Sequence, residues 1–309
     1  LVKGNGMDKN NRIWAHPLAL ITIIVWGSTF IASRFMLDYF TPLQVMTMRF
    51  VIAYFILLLM RPKFMHIIWK DELIFLLMGL SGCSIYFIAE NTALTITSTS
   101  NVSIIVASSP ILTAILAHFF SKDEKIKSNT IAGFIIAFIG VAFVVFNGTF
   151  ILKLNPIGDL LAFLSALSWA VYSLILKNVV NRYDNILLIR KVMFYGIMTS
   201  FPFLLIEGKP FNFNALTDPK LLISLLFLGV IGSGICYLTW NLSVRKLGII
   251  TTNSYIYVIP FVTMVLAAIL LDEHITVIGI LGAVFIILGV VITSSPKKLN
   301  FRRVKSSKI

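Results

Sequence analysis

The chain has 309 residues, 58% hydrophobic and only 13% charged, with a mean hydropathy of +0.93. Soluble domains are nearer roughly 45 to 50% apolar and about 25% charged, so a soluble globular protein is excluded and an integral membrane protein is indicated. The net charge of +13 would point to nucleic acid in a soluble protein, but here the basic residues sit between apolar runs, where they set topology.

In chain order the apolar runs predict helices at 17–38, 42–60, 72–94, 98–120, 129–147, 157–177, 184–206, 219–243, 249–271 and 275–294. Each is near the length that crosses a hydrocarbon core of about 30 Å. Continuous apolar runs without strict alternation exclude a barrel, which leaves an all-α bundle. The first run is full-span length with no small-residue cleavage site after it, so no cleavable signal peptide is expected. Leu1 to Gly6, ahead of Met7, are set aside as a remnant or an alternative start. Segment 1–16 is expected to be an N-terminal cytoplasmic stretch and 295–309 a basic cytoplasmic tail.

Nineteen of the 26 Lys and Arg fall on one side if the loops alternate: before the first span, at Arg61 to Lys70, at Lys122 to Lys127, at Lys177 and Arg182, at Arg245 and Lys246, and in the tail. Only Lys153, Lys209 and Lys220 fall on the other, while Arg34, Arg49, Arg190 and Lys191 lie within predicted spans. The positive-inside rule then puts both termini in the cytoplasm and supports an even number of spans. The tail has two readings, a topology signal or an attractor of anionic lipid.

The two halves resemble each other. Pro110 and Pro260 open PILTAILA and PFVTMVLA, which run into Asp123-Glu124 and Asp272-Glu273, acids read as solvated helix ends. Gly133 and Gly140 recur as Gly282 and Gly289, Gly79 and Gly82 as Gly229 and Gly232, and Trp26 as Trp169. Two five-helix repeats, 17–147 and 157–294, follow. Because five is odd, the second enters the membrane inverted, an arrangement that places the substrate site of secondary transporters near the midplane between repeats.

Polar residues within the spans are the candidate site. Glu90 lies about 7 Å in from the end of its helix, and Arg49, about 10 Å in from the end of another span, is its candidate partner. Desolvation favours the neutral form of a carboxylate and a nearby cation favours the charged form, so three roles stay open: a structural ion pair, a contact to a substrate amine, or proton coupling. Trp26, Ser28, Thr29, Asn91, Asn101, Trp169, Tyr172, Tyr237, Trp240 and Asn241 are the candidate substrate-binding residues, since they put small hydroxyls, amides and amphipathic aromatics at similar depths. Asn241 stands where the first half has Glu90, so a carboxylate role is confined to one half. Pro110 and Pro260 are expected helix kinks. The glycines at 133, 140, 282 and 289 are expected to allow close helix packing. Cys83 and Cys236 read as small buried thiols rather than a disulfide, and four scattered histidines have no metal-ligand spacing.

Taken together, Trp26-Gly-Ser-Thr-Phe30, Arg49, Glu90-Asn91 with Ala93-Leu94, the prolines with their trailing acids and the Gly133 and Gly282 helices resemble the ten-helix drug/metabolite transporters of the EamA type. The similarity runs from about Leu18 to Thr293. It implies alternating-access export or exchange of a small polar metabolite, most plausibly an amino acid or related compound, across a bacterial cytoplasmic membrane. No cofactor, metal or nucleic acid is expected; the partners are a small-molecule substrate and the lipid bilayer, and the oligomeric state is left open. ATP-driven transport would need a GxxxxGK[ST] loop, which the sequence lacks. A membrane enzyme would need HExxH, paired intramembrane acids or a Ser/His couple, and one deep acid is no such set. The alternatives are a passive uniporter or channel-like facilitator and, in a different class, a non-transporting receptor or assembly protein.

Overall fold

A computed structural model describes residues 13–63, 69–97, 99–121, 126–146, 155–271 and 276–294. Most of segment 1–16, the tail 295–309 and the acids Asp123, Glu124, Asp272 and Glu273 lie outside the described residues. Among those described, the chain is helical throughout, with no strand. Its rods are α1 (Ala15–Leu37), α2 (Pro42–Met60), α3 (Trp69–Ile96), the broken α4 (Thr99–Val106 and Ser109–Phe120), α5 (Ser128–Phe146), α6 (Pro156–Val179), α7 (Asn185–Glu207), α8 (Pro219–Leu247), the broken α9 (Ile249–Ser254, Tyr255–Val258 and Ile259–Leu271) and α10 (Val277–Ser294). Seven of these are long and apolar enough to cross a membrane, namely α1, α2, α3, α6, α7, α8 and α9; the apolar stretches of α4, α5 and α10 are shorter. Large apolar side chains such as Leu59, Phe119 and Ile206 stand exposed on the outside, which suits a lipid solvent and not water.

Caps set the ends where the sequence supplies them. Thr41 and Gln44 form a reciprocal capping box ahead of Pro42 at the start of α2. Asn155, Asp184 and Asp218 cap α6, α7 and α8 with side-chain oxygens. Gly208 closes α7 with φ of 61°, a left-handed conformation that costs glycine nothing.

The predicted helix at 98–120 is interrupted. Ala107 and Ser108 separate its two segments, and Pro110 stands in the first turn of the second, where its missing N–H is needed least. In α9, the stretch before Pro260 tightens into a 3₁₀ turn over Tyr255–Val258. The helices α3 and α8 each contain a wider π-turn, Leu80–Ile85 and Phe227–Ile235, at the positions of the paired glycines. Periodicity alone does not signal such turns; they mark places where a helix yields to its neighbours, and they recur at functional sites.

The glycines of α5 and α10 make a close seam between the halves. A Cβ on Gly140 would lie 2.6 Å from the Gly282 carbonyl oxygen, and one on Gly133 equally 2.6 Å from that of Gly289. Backbones therefore meet directly, as small residues permit in membrane helices. The remaining helices enclose a continuous apolar core that includes Phe50, Phe75, Trp169 and Trp240.

Candidate functional site

The π-turn in α8 brings the backbone of Gly232 against α1 and α2. A Cβ there would sit 3.0 Å from the Thr29 methyl carbon and 3.3 Å from an Arg49 guanidinium nitrogen, so the glycine makes room for the arginine head. Arg49 is 1% exposed. Its Nε donates to Ser233 Oγ at 2.8 Å, and the guanidinium carbon lies 4.4 Å from the centre of the Phe87 ring. This cation is thus held by a hydroxyl and an aromatic face. Glu90, 6% exposed, accepts a hydrogen bond from Tyr86 Oη at 2.7 Å, one helical turn away on α3. Among the described residues no ion pair within 4.0 Å joins Arg49 to Glu90; both face one cavity.

That cavity is walled by Trp26, Thr29 and Phe30 of α1, Arg49 of α2, Tyr86, Phe87 and Glu90 of α3, Val106 and Ser109 of α4, Trp169 of α6, Tyr237 of α8, and Ile256 and Ile259 of α9. Both repeats contribute. The rings hold one another edge to face: Trp26 and Trp169 are 5.3 Å apart with planes at 89°, Trp26 and Tyr237 are 5.6 Å apart, and Tyr86 and Trp169 are 5.5 Å apart. Each polar edge is also tied. Trp26 Nε1 donates to the Gly232 carbonyl at 2.9 Å, Tyr237 Oη to the Gly82 carbonyl at 2.9 Å, and Trp169 Nε1 to Asn253 Oδ1 at 2.9 Å. The acceptor carbonyls belong to the two π-turns, where departure from the α-helical ladder leaves backbone oxygens for other donors.

The predicted site residues divide accordingly. Trp26, Thr29, Arg49, Glu90, Trp169 and Tyr237 line the cavity. Ser28 turns away, bonds back to the Ile24 carbonyl and faces a groove on the outside of α1. Asn91, Tyr172, Trp240 and Asn241 are fully buried behind the wall, and none of them lines it. Among the described residues the amides of Asn91 and Asn241, the Tyr172 hydroxyl and the Trp240 indole N–H have no hydrogen-bond partner. The side chain of Asn101 lies outside the described residues. Sequence reasoning passed over Ser233 and Asn253, which fix Arg49 and Trp169; the signals were a serine next to a repeated glycine and an asparagine matching Ser103 in the other half.

At the end where α2 finishes and α3 and α7 begin, charges are matched. Arg61 pairs with Asp184 at 3.0 Å, Lys191 with Glu72 at 2.6 Å, Tyr195 donates to Glu72, and Arg190 donates to the carbonyls of Arg61 and Lys63. Burial, and then a hydrogen bond to Asp71, push the Tyr183 phenol up to about 12. These contacts tie together the ends of α2, α3 and α7 on the side that the charge count assigns to the cytoplasm.

Comparison with known proteins agrees with this architecture. A crystal structure with a TM-score of 0.72 and 16% sequence identity covers 91% of this chain and 98% of its own, a likeness of fold. An uncharacterized transporter of Archaeoglobus fulgidus is 28% identical over 275 residues, covering 88% of this chain and 95% of that protein. A probable amino-acid metabolite efflux pump of Escherichia coli is 25% identical over 286 residues, covering 89% and 93%. The family model of the EamA-like transporters matches twice, at residues 13–146 and 156–295, one match to each half that the repeated prolines and glycines had marked. The chain therefore belongs to the EamA-like transporter family.

Proposed function

We propose that this protein is a secondary transporter that exports or exchanges a small polar metabolite, most plausibly an amino acid or related compound, by alternating access through the central cavity. The observation that carries the reading is the cavity itself: a buried cation and a buried carboxylate, each held by its own neutral partner and not by the other, face one volume ringed by aromatic edges. Charges are costly inside a membrane and mark solute paths. A zwitterion satisfies both, its carboxylate toward Arg49 and its amine toward Glu90, with the rings enclosing its carbon skeleton. The relative described as a probable amino-acid metabolite efflux pump supports the same substrate class.

In this reading the two repeats, 17–147 and 157–294, lie inverted with both termini in the cytoplasm of a bacterial cell, and the protein carries solute without chemical conversion. Glu90, with no cation within 4.0 Å among the described residues, takes up and releases a proton during the cycle. The test is flux in liposomes containing the purified protein, screened against amino acids, aromatic cations and sugars, with and without a pH gradient. Saturable uptake of an amino acid that responds to the gradient is expected; equal, unsaturable permeation of all solutes contradicts the reading.

A further inference from the structure

The first part of α9 reaches from one end of the bundle to the cavity. It begins at Ile249, directly after Gly248, and runs through the 3₁₀ turn Tyr255–Val258, whose Ile256 lines the cavity. The step from Ile249 to Ile256 covers roughly 10 Å at about 1.5 Å per residue. Arg245 and Lys246, just before it, belong to the side that the charge count assigns to the cytoplasm. Apart from Thr251, every residue from Ile249 to Val258 is buried, so this segment fills the space between that end and the cavity. Both of its ends depart from the α-helix. Gly248 has φ of 84°, a conformation that other residues rarely adopt, and at the far end the helix tightens into the 3₁₀ turn ahead of Pro260. A few such positions at the ends of an element are enough to serve as hinges.

One side chain ties this segment to the cavity wall. Asn253 is fully buried; its Oδ1 accepts from Trp169 Nε1 at 2.9 Å, and its Nδ2 donates to the Ile249 carbonyl at 2.9 Å. Ser173 Oγ, one turn beyond Trp169 on α6, lies 3.4 Å from both ends of the amide. Trp169 in turn packs on Trp26, Tyr86 and Tyr237 of the cavity wall. A second tie, between His16 Nδ1 and Tyr255 Oη at 2.6 Å, joins the segment to α1 but ends on no cavity residue. The first half is tied differently: Trp26, the counterpart of Trp169, donates to Gly232 on α8 and not to α4.

We propose that Asn253 is a positioning residue for transport, coupling the first part of α9 to Trp169 and so holding the cavity closed toward the side that the charge count assigns to the cytoplasm. When the segment swings away, Trp169 loses its acceptor, and the ring is released as the path opens. A hydrogen bond suits such a latch. Water entering the opened path replaces both partners, so the bond shifts the balance between the two states without locking it. The inference rests on alternating access through the central cavity.

The test uses the full chain carrying Cys83→Ala, Cys236→Ala and Ser109→Cys in oriented vesicles, and compares the rates at which a membrane-impermeant thiol reagent labels position 109 from each side. Asn253→Leu, close in size, removes the acceptor. Trp169→Phe removes the donor of the same bond from the other helix, and carries the test if the first variant does not fold. Each is expected to raise the ratio of cytoplasmic-side to outer-side labelling several-fold. The double variant is expected to go no further than the larger single change, because one bond is lost in all three. A role in packing alone would lower the thermal midpoint and leave the ratio as it was, so an unchanged ratio in a folded variant overturns the proposal. A double variant whose ratio is the product of the two single changes overturns it as well. Labelling from one side only, in the parent and in both variants, contradicts alternating access itself, whereas labelling from both sides with an insensitive ratio contradicts the latch alone.

Discussion

At the scale of single residues, the proposal turns on Arg49 and Glu90, whose relative geometry sequence could not give. Depth along each helix made contact possible, but rotation about the axis is set by packing: Ser233 and Phe87 draw the guanidinium, and Tyr86 takes the carboxylate. Glu90→Gln, nearly isosteric, should fold with an unfolding midpoint close to wild type and still accept from Tyr86, while the response of flux to a pH gradient is lost. Flux with wild-type pH dependence in that variant would show that the carboxylate carries no proton. Arg49→Met should reduce flux at least tenfold, and adding Glu90→Gln should restore neither flux nor any lost stability; recovery of lost stability in the double variant would assign the two residues to a structural ion pair. Trp26→Phe keeps a ring but removes the indole N–H, which strands the Gly232 carbonyl. An unsatisfied buried acceptor costs about 1 to 3 kcal/mol, so a lower thermal midpoint is expected along with weaker substrate affinity. Ser28 shows the limit of reading position without rotation: next to Thr29 in sequence, it is turned away from the cavity that Thr29 lines.

At the scale of elements, hydropathy located the spans because apolar length is a local property, and the repeated glycine spacing pointed to close helix packing, while the structure shows that α5 and α10 meet there. Gly282→Leu should therefore be severe. Its Cβ alone would sit 2.6 Å from the Gly140 carbonyl oxygen, so the helices must separate. Overpacking of this kind costs about 1 to 3 kcal/mol or more, and a drop of several degrees in the thermal midpoint is the measurable consequence; an unchanged midpoint would mean the seam is looser than described. The break at Ala107 and Ser108 and the two π-turns were not legible. A proline announces a disturbance but not its form, and a π-turn is a compromise between one helix and the rings packed against it, such as Trp26 and Tyr237, which lie far away in sequence.

At the scale of the whole molecule, the repeat and the charge count carry the account: two related halves surround one cavity, and nearly all loop cations lie on one side by count. Single cysteines at positions 62 and 209, in the corresponding α2–α3 and α7–α8 loops of the two halves, should label from opposite faces of sealed vesicles, and labelling of both from the same face would end the inverted arrangement. Composition and repeats could bring the argument to a transporter, whereas the identity of the solute depends on side-chain directions across α1, α2, α3 and α8. The most direct test of the central claim uses Ser109, buried in the cavity wall on α4, replaced by cysteine after Cys83 and Cys236 have been changed to alanine. Alternating access predicts that a membrane-impermeant thiol reagent reaches this position from either side of oriented vesicles, and that a transported amino acid slows the reaction from both. Labelling from one side only, at a rate indifferent to solute, would contradict the account.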